Sequence, residues 1–309
     1  MKTVTLVVPC YNEEESIGIF LESAQNFFME NPDYSFQVVL VNDGSADRTL
    51  DIAAALMKTY AFLKVVDLSR NFGKEAALSA GLLHSDGDAV IPIDADLQHP
   101  LSTVKKMLQL WEEGYEVVLA KRTHRDADRQ IQKITAKFFY QVHNIISDIE
   151  IPSDVGDFRL MDRRVVDVLN QLPENRRFMK GLFAWAGFRS TTILYDVNER
   201  AHGSSKFNTW RLWNFAIEGF TSFSIAPLKV WLYIGGLISS LSILYAVYLV
   251  FRSLFWGVDV SGYPSIMVFI LFLGGVQLLS IGMLGEYIGR IYIEAKRRPA
   301  YVIRDVLDS

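Results

Sequence analysis

Hydrophobic positions along this chain fall into two regimes. In residues 1–200, short β-branched runs alternate with longer stretches whose apolar positions recur at helical spacing. Thr3–Val8 is the first short run, closed by Pro9, and it predicts a buried strand. Ile17, Phe20, Leu21, Ala24 and Phe28 follow at helical spacing, with Glu13, Glu14 and Glu15 expected in that helix's first turn. Phe36–Val41 predicts a second strand ending at Asn42-Asp43-Gly44-Ser45, then a helix to about Tyr60. Leu63–Leu68 predicts a third, followed by Ser69-Arg70-Asn71-Phe72-Gly73-Lys74 and a helix through Ala76–Leu83. Ala89–Ile93 and Val117–Ala120 predict the fourth and fifth strands. Strands alternating with helices imply an α/β fold, a mostly parallel sheet covered on both faces.

From about residue 225 the pattern changes. Val230–Phe251 is 22 residues without a charge, and Ile266–Gly285 is another 20. At ~1.5 Å per residue either run crosses a roughly 30 Å hydrocarbon core. Two transmembrane helices are therefore expected, within 227–252 and 264–289. Arg290, Lys296, Arg297 and Arg298 cluster after the second, so the positive-inside rule places both termini in the cytoplasm. Two amphipathic stripes precede the spans. Ile131, Ile134, Phe138, Phe139, Val142, Ile145 and Ile146 form one; Trp210, Trp213, Ile217 and Phe220, flanked by Lys206 and Arg211, form the other. Core packing and a membrane interface account equally well for the first, whereas the second runs straight into a span and suits the interface. The resulting division is a catalytic domain over 1–205, an interfacial helix over 206–226, the two spans, and a cytoplasmic tail over 290–309.

Composition narrows the partners. A net charge of -4 offers no footprint for nucleic acid, and the single cysteine, Cys10, excludes an internal disulfide. The N-terminus has a strand-like run and a proline where a secretory signal would need an apolar core and cleavage site. Gly residues 235, 236, 274, 275, 282, 285 and 289 in the spans would permit close helix contact, a weak pointer to a homo-oligomer.

Chemistry concentrates where the strands end. Asn12, Asp43, Lys74, Asp94 and Asp96 all fall at or just beyond a strand's carboxyl end, the edge at which open α/β sheets bind ligands. The first strand-to-helix turn lacks G-x-G-x-x-G, and G-x-x-x-x-G-K-[ST] is absent, which removes the two common nucleotide-binding loops. Asp94 and Asp96, one residue apart, make with the Gln98 amide a hard-oxygen set suited to Mg²⁺ or Mn²⁺ carrying phosphates. A lone D-x-D is more often a solvated turn; here it has company.

That company is a series of motifs: V-P-C-Y-N-E-E, V-N-D-G-S, D-A-D-L-Q-H-P, G-D-F-R-L-M-D and R-A-H-G-S-S-K, in this order. Together with S-R-N-F-G-K-E and R-F-M-K-G-L-F-A-W they resemble the family 2 glycosyltransferases of GT-A fold, and among these the polyprenyl-phosphate hexosyltransferases, bacterial undecaprenyl-phosphate glucosyltransferases above all. The resemblance implies a UDP-sugar donor, a polyprenyl phosphate acceptor, a Mg²⁺ or Mn²⁺ cofactor and a plasma-membrane location. It implies that Pro9, Tyr11, Asn12 and Glu13 line the uridine pocket and that Asp43 grips the nucleoside, with Lys74 on the same rim. Asp94 would lie near the sugar and ribose, joining Asp96 and Gln98 around the metal, and Asp157 would be the catalytic base or a sugar-orienting group. Arg122, with Arg125, would meet the acceptor phosphate, and Arg200 and Lys206 would close over the donor. Metal plus Arg or Lys neutralises the charge developing on a diphosphate leaving group, and a planar guanidinium grips two phosphate oxygens at once. Two other functions fit the sequence less well. A processive polysaccharide synthase would resemble its kin in Q-x-x-R-W, absent here. A non-catalytic membrane scaffold has no need of clustered carboxylates.

Overall fold

The computed structural model describes residues 1–123, 155–172, 174, 179–196, 262–308 and scattered positions between 233 and 255. Eight strands form one sheet, flanked by helices. In chain order the elements are β1 (Lys2–Cys10), α1 (Ile17–Glu30), β2 (Tyr34–Asn42), α2 (Thr49–Leu56), β3 (Leu63–Leu68), α3 (Lys74–Leu83), β4 (Ala89–Pro92) and α4 (Leu101–Glu112). Then come β5 (Val117–Arg122), β6 (Val155–Asp162), α5 (Arg163–Gln171), α6 (Met179–Trp185), β7 (Ser190–Tyr195), α7 (Tyr263–Ala295) and β8 (Ile303–Leu307).

The strand order is β7-β5-β6-β4-β1-β2-β3-β8. Its centre is the expected α/β arrangement, with β1 parallel to both β2 and β4 and β2 parallel to β3. The five strands expected from the sequence are all present. Three more were not foreseen: β6, antiparallel to β4 and β5; β7, parallel to β5; and β8, antiparallel to β3. The first helix also starts later than its acidic residues suggested. It begins at Ile17, so Glu13–Glu15 lie in the preceding turn, where the Glu13 carbonyl accepts from Ser16 and Ile17 N–H. Phe27, not Phe28, is its last fully buried residue.

Period-two alternation sorts the strand residues between two cores. Leu6, Val8, Val38, Leu40, Val65 and Ile91 face one side, with Phe20 and Leu21 of α1 and Val104, Met107 and Leu108 of α4. Val7, Val39, Val41, Val66 and Val90 face the other, with Ala77 and Leu78 of α3 and Val165 and Val166 of α5. Burial on both faces is why these strands are continuously apolar rather than amphipathic.

Residues Ile303–Leu307, expected to lie in a separate tail, complete the sheet at its β3 edge. Arg304 of β8 reaches the buried Asp67 carboxylate at 3.2 Å and the Ser69 carbonyl at 2.7 Å. Before it, α7 runs for 33 residues. Among the described residues, the stretch Phe272–Ala295 is long and apolar enough to cross a membrane. The described positions between 233 and 255 are helical as well, and Tyr245 stacks on Phe269 of α7 at 6.1 Å. The remainder of the first expected span lies outside the described residues, as do both amphipathic stripes.

Candidate active site

Parallel pairing brings the functional side chains together. Register places Cys10 beside Asn42, Asn42 beside Asp67, and Val7 beside Pro92, so β1, β2, β3 and β4 all end on one rim. Each following loop delivers polar groups to the same cleft. Pro9, Tyr11, Glu13, Asp43, Asn71, Gly73, Lys74, Asp94 and Asp96 line it around about 780 Å³ of empty space open to solvent.

The loops are tied to each other before any ligand arrives. Both Asp43 carboxylate oxygens accept backbone N–H bonds from the β3–α3 loop, Phe72 at 2.7 Å and Gly73 at 2.9 Å. Burial pushes the Asp43 carboxyl up, and these two bonds oppose that shift. Gly44 follows at φ +62°, and a Cβ there would sit 2.3 Å from the Arg70 carbonyl carbon, so only glycine lets the two loops meet. Asn12, at φ 56°, turns its side chain away from the expected pocket: its Oδ1 accepts from Ala46 N–H at 2.9 Å. Its backbone N–H donates to Ser45 Oγ. In this arrangement Asn12 braces the wall that Tyr11 and Glu13 line.

Lys74 is the centre of charge. It opens α3, and its Nζ lies 2.6 Å from Asp94 Oδ1 and 3.3 Å from Asp157 Oδ2. Burial pulls the lysine down; the carboxylates of Asp94 and Asp157 outweigh it and hold Lys74 above the ordinary lysine range. Burial pushes Asp94 up, but His99 and Lys74 hold it well below the usual carboxylate range. Lys74 is the firmer of those two causes, because His99 Nε2 stands 3.7 Å from Asp94 Oδ2, beyond hydrogen-bond length. Asp157 arrives from β6, the unforeseen antiparallel strand. Its Oδ1 is buried with no hydrogen-bond partner among the described residues.

One edge of the cleft is acidic. Burial raises the Glu13 carboxyl, the Ser16 hydroxyl opposes this, and the charges of Asp96 and Asp94 raise it further. Cys10 is pushed up by burial and by the fields of Glu13 and Asp94. Such a field suits a cation. No three His, Cys, Asp or Glu residues converge into a metal cage among the described residues. The oxygen donors of Asp94, Asp96 and Gln98 fit a hard ion that takes few protein ligands and completes its shell from phosphate and water, the habit of Mg²⁺. The turn carrying Asp96 is tight: Asp96 Oδ1 accepts from Gln98 N–H at 3.1 Å, and Leu97 between them sits at φ 57°.

On the far side, Arg122 closes β5, and its Nε donates to the Tyr195 hydroxyl at 3.3 Å. Arg125, Arg200 and Lys206 lie outside the described residues. Three residues had no role assigned from sequence. His99 and Tyr195 are buried beside Asp94 and Arg122, and Arg159, also buried, lies over the Phe183 ring at 3.9 Å. Burial lowers the Arg159 guanidinium to about 10, against the charges of Asp157 and Glu75. His99 and Arg159 sit within quoted motifs, so their presence was visible; Tyr195 stands on a strand whose pattern gave no signal.

The sequence profile of glycosyl transferase family 2 matches residues 5–169. The chain belongs to that family. A second profile, the GtrB C-terminal hairpin, matches residues 226–291. The bactoprenol glucosyl transferase of Shigella phage SfV is 49% identical over 302 residues, covering 98% of this chain and 98% of the relative. A prophage bactoprenol glucosyl transferase homolog of Escherichia coli K12 is 46% identical, covering 98% of this chain and 99% of the relative. Among solved structures, glucosyl-3-phosphoglycerate synthase from Mycobacterium tuberculosis, in complex with Mn²⁺, UDP and phosphoglyceric acid, is 20% identical at a TM-score of 0.47. That match covers 71% of this chain and 76% of that one. Family membership makes the protein a glycosyltransferase, and its α/β, mostly parallel sheet is the one the resemblance implied.

Proposed function

We propose that this glycosyltransferase moves glucose from UDP-glucose to undecaprenyl or a similar polyprenyl phosphate, with inversion at the anomeric carbon. The observation that carries this reading is the Lys74–Asp94–Asp157 cluster on the rim of an acidic cleft, in a chain almost half identical end to end to a bactoprenol glucosyl transferase. An acceptor phosphate oxygen forms the new bond to the anomeric carbon as the bond to UDP breaks, and UDP leaves with the electron pair. A phosphomonoester has its second pKa near 6, so the attacking oxygen needs no base near neutrality. Asp157 then serves to orient: Lys74 holds Oδ2, and the buried Oδ1 accepts from a hydroxyl of the sugar.

Pro9, Tyr11, Glu13 and Asp43 form the nucleoside side of the cleft, with Arg200 and Lys206 closing over the donor from outside the described residues. Asp96 with Gln98, and Asp94 beside them, would hold Mg²⁺ or Mn²⁺; when bound, the ion offsets charge on the departing diphosphate. Lys74 favours the ionised form of Asp94 and ties both carboxylates at the sugar side of the cleft. Arg122, with Arg125, receives the lipid phosphate.

The acceptor is held in a membrane, and the chain is built to reach one. In α7 the large side chains Ile266, Phe269, Ile270, Phe272, Leu278 and Ile281 are exposed, which water would penalise and lipid tails would not. The reading is a two-span hairpin in the plasma membrane, with the sheet and both termini in the cytoplasm and a second copy packed through the glycine-bearing spans. Purified full-length protein, given a panel of nucleotide sugars with undecaprenyl phosphate, should convert UDP-glucose to a glucosylated lipid identified by mass. Turnover with another hexose alone would reassign the donor, and no UDP release with any sugar would end the proposal.

A further inference from the structure

Between the donor cleft and Arg122 lie two buried polar side chains, His99 and Tyr195, that no catalytic step above uses. Arg122 Nε is 3.3 Å from the Tyr195 hydroxyl, the hydroxyl is 3.0 Å from His99 Nδ1, and His99 Nε2 faces Asp94 Oδ2 at 3.7 Å. Donor and acceptor chemistry orders these contacts. A guanidinium only donates, so the Tyr195 oxygen must accept from Nε. With Nδ1 of His99 unprotonated, the Tyr195 hydroxyl donates to it, and the imidazole proton sits on Nε2, on the Asp94 side. Packing holds the rings in place. His99 stacks on Phe158 at 4.6 Å, and Tyr195 meets Phe158 edge-on at 5.5 Å. His99, Phe158 and Tyr195 are all buried.

These contacts join three loops distant in sequence: the one after β4, the end of β5 and the end of β7. We infer that Tyr195 and His99 are positioning residues that fix the Arg122 guanidinium by its Nε. The two terminal nitrogens are then presented as a fork to two oxygens of the acceptor phosphate, in register with Asp94 at the donor. The inference rests on the assignment of Arg122 to the acceptor and adds to it what orients that arginine. A guanidinium held by one edge loses less freedom when it grips phosphate, so the effect belongs in acceptor affinity.

The test uses full-length protein in detergent with UDP-glucose and undecaprenyl phosphate. Tyr195→Phe keeps the ring and removes the hydroxyl; it should raise KM for the lipid phosphate about three- to tenfold, the scale of one hydrogen bond. UDP affinity, read by titration, should stay within about twofold. His99→Leu removes the hydroxyl's acceptor and should reproduce the shift. His99→Asn, which keeps an acceptor near the Nδ1 position, should recover most of it. The deciding measurement is the double variant: if Tyr195 acts through Arg122, Tyr195→Phe adds nothing in an Arg122→Ala background. Additive effects, or a loss of UDP affinity with KM for the lipid unchanged, overturn the inference. An Arg122→Ala variant with normal acceptor KM would instead remove the acceptor assignment on which it rests.

Discussion

Lys74 shows at the scale of one residue how a site is charged. Its ammonium is flanked by two carboxylates, one from the loop after β4 and one from β6, at 2.6 and 3.3 Å. The consequence is a pH dependence of stability with a definite sign. Asp94 is depressed, so its contribution is complete above its unfolded value of about 3.9 and is lost as pH falls below that. Lys74 is raised, so its contribution is complete below about 10.4 and is lost as pH climbs further. In metal-free buffer Lys74→Met should therefore be less stable than wild type near neutrality, with the gap narrowing below about pH 4 as the advantage of the ionised Asp94 is lost. Urea unfolding across pH measures it, and a gap that is flat from neutral to acid would show that the pair does not act as drawn. Asp96→Ala should abolish turnover and most of its divalent-metal dependence. Near-normal activity of that variant with chelator present would remove Asp96 from the metal site.

At the scale of elements, β8 is the instructive case. It is five residues long and seals the β3 edge of the sheet, an edge that would otherwise expose unpaired N–H and C=O groups. Its anchor is Arg304, placed on an Asp67 carboxylate that also accepts from Asn42 Nδ2 at 2.7 Å. Asn42 ends β2 one residue before Asp43, so the strand that closes the sheet also braces the donor rim. Arg304→Ala should cost roughly 1–2 kcal/mol, one charged hydrogen bond discounted for the arginine's exposure. Thermal unfolding of the full chain should report it as a drop of a few degrees in Tm. An unchanged Tm, with UDP affinity also unchanged, would make the contact incidental.

At the scale of the whole molecule, the cleft and the membrane-length helix occupy different lengths of chain. Every described residue lining the cleft precedes residue 160, while the match to the C-terminal hairpin profile begins at residue 226. A protein truncated after Phe223 should still bind UDP, with lower thermal stability because β8 is lost with the hairpin. Its transfer to long-chain polyprenyl phosphate should fall sharply. Loss of UDP binding in a truncated protein that remains folded would show that the hairpin or β8 shapes the donor site itself.

The sequence by itself determined whatever depends on local pattern. Runs such as Val38–Val41 and Val65–Leu68 are strands because β-branched residues buried on both faces fit little else, and the rim followed from where those runs stop. Ordered motifs carried the family, and absence of charge over 20 residues carried the expectation of membrane spans. Tertiary structure alone decided what depends on pairing between distant segments. Antiparallel β6 brings Asp157 to Lys74, β7 brings Tyr195 to Arg122 and His99, and β8 brings Arg304 to Asp67. Their short strands lie outside the regular alternation with helices, and no local rule states which edge a strand will join. The turn of Asn12 towards Ala46 was hidden for the same reason, since its partner is 34 positions away and only the meeting of the β1 and β2 loops supplies it.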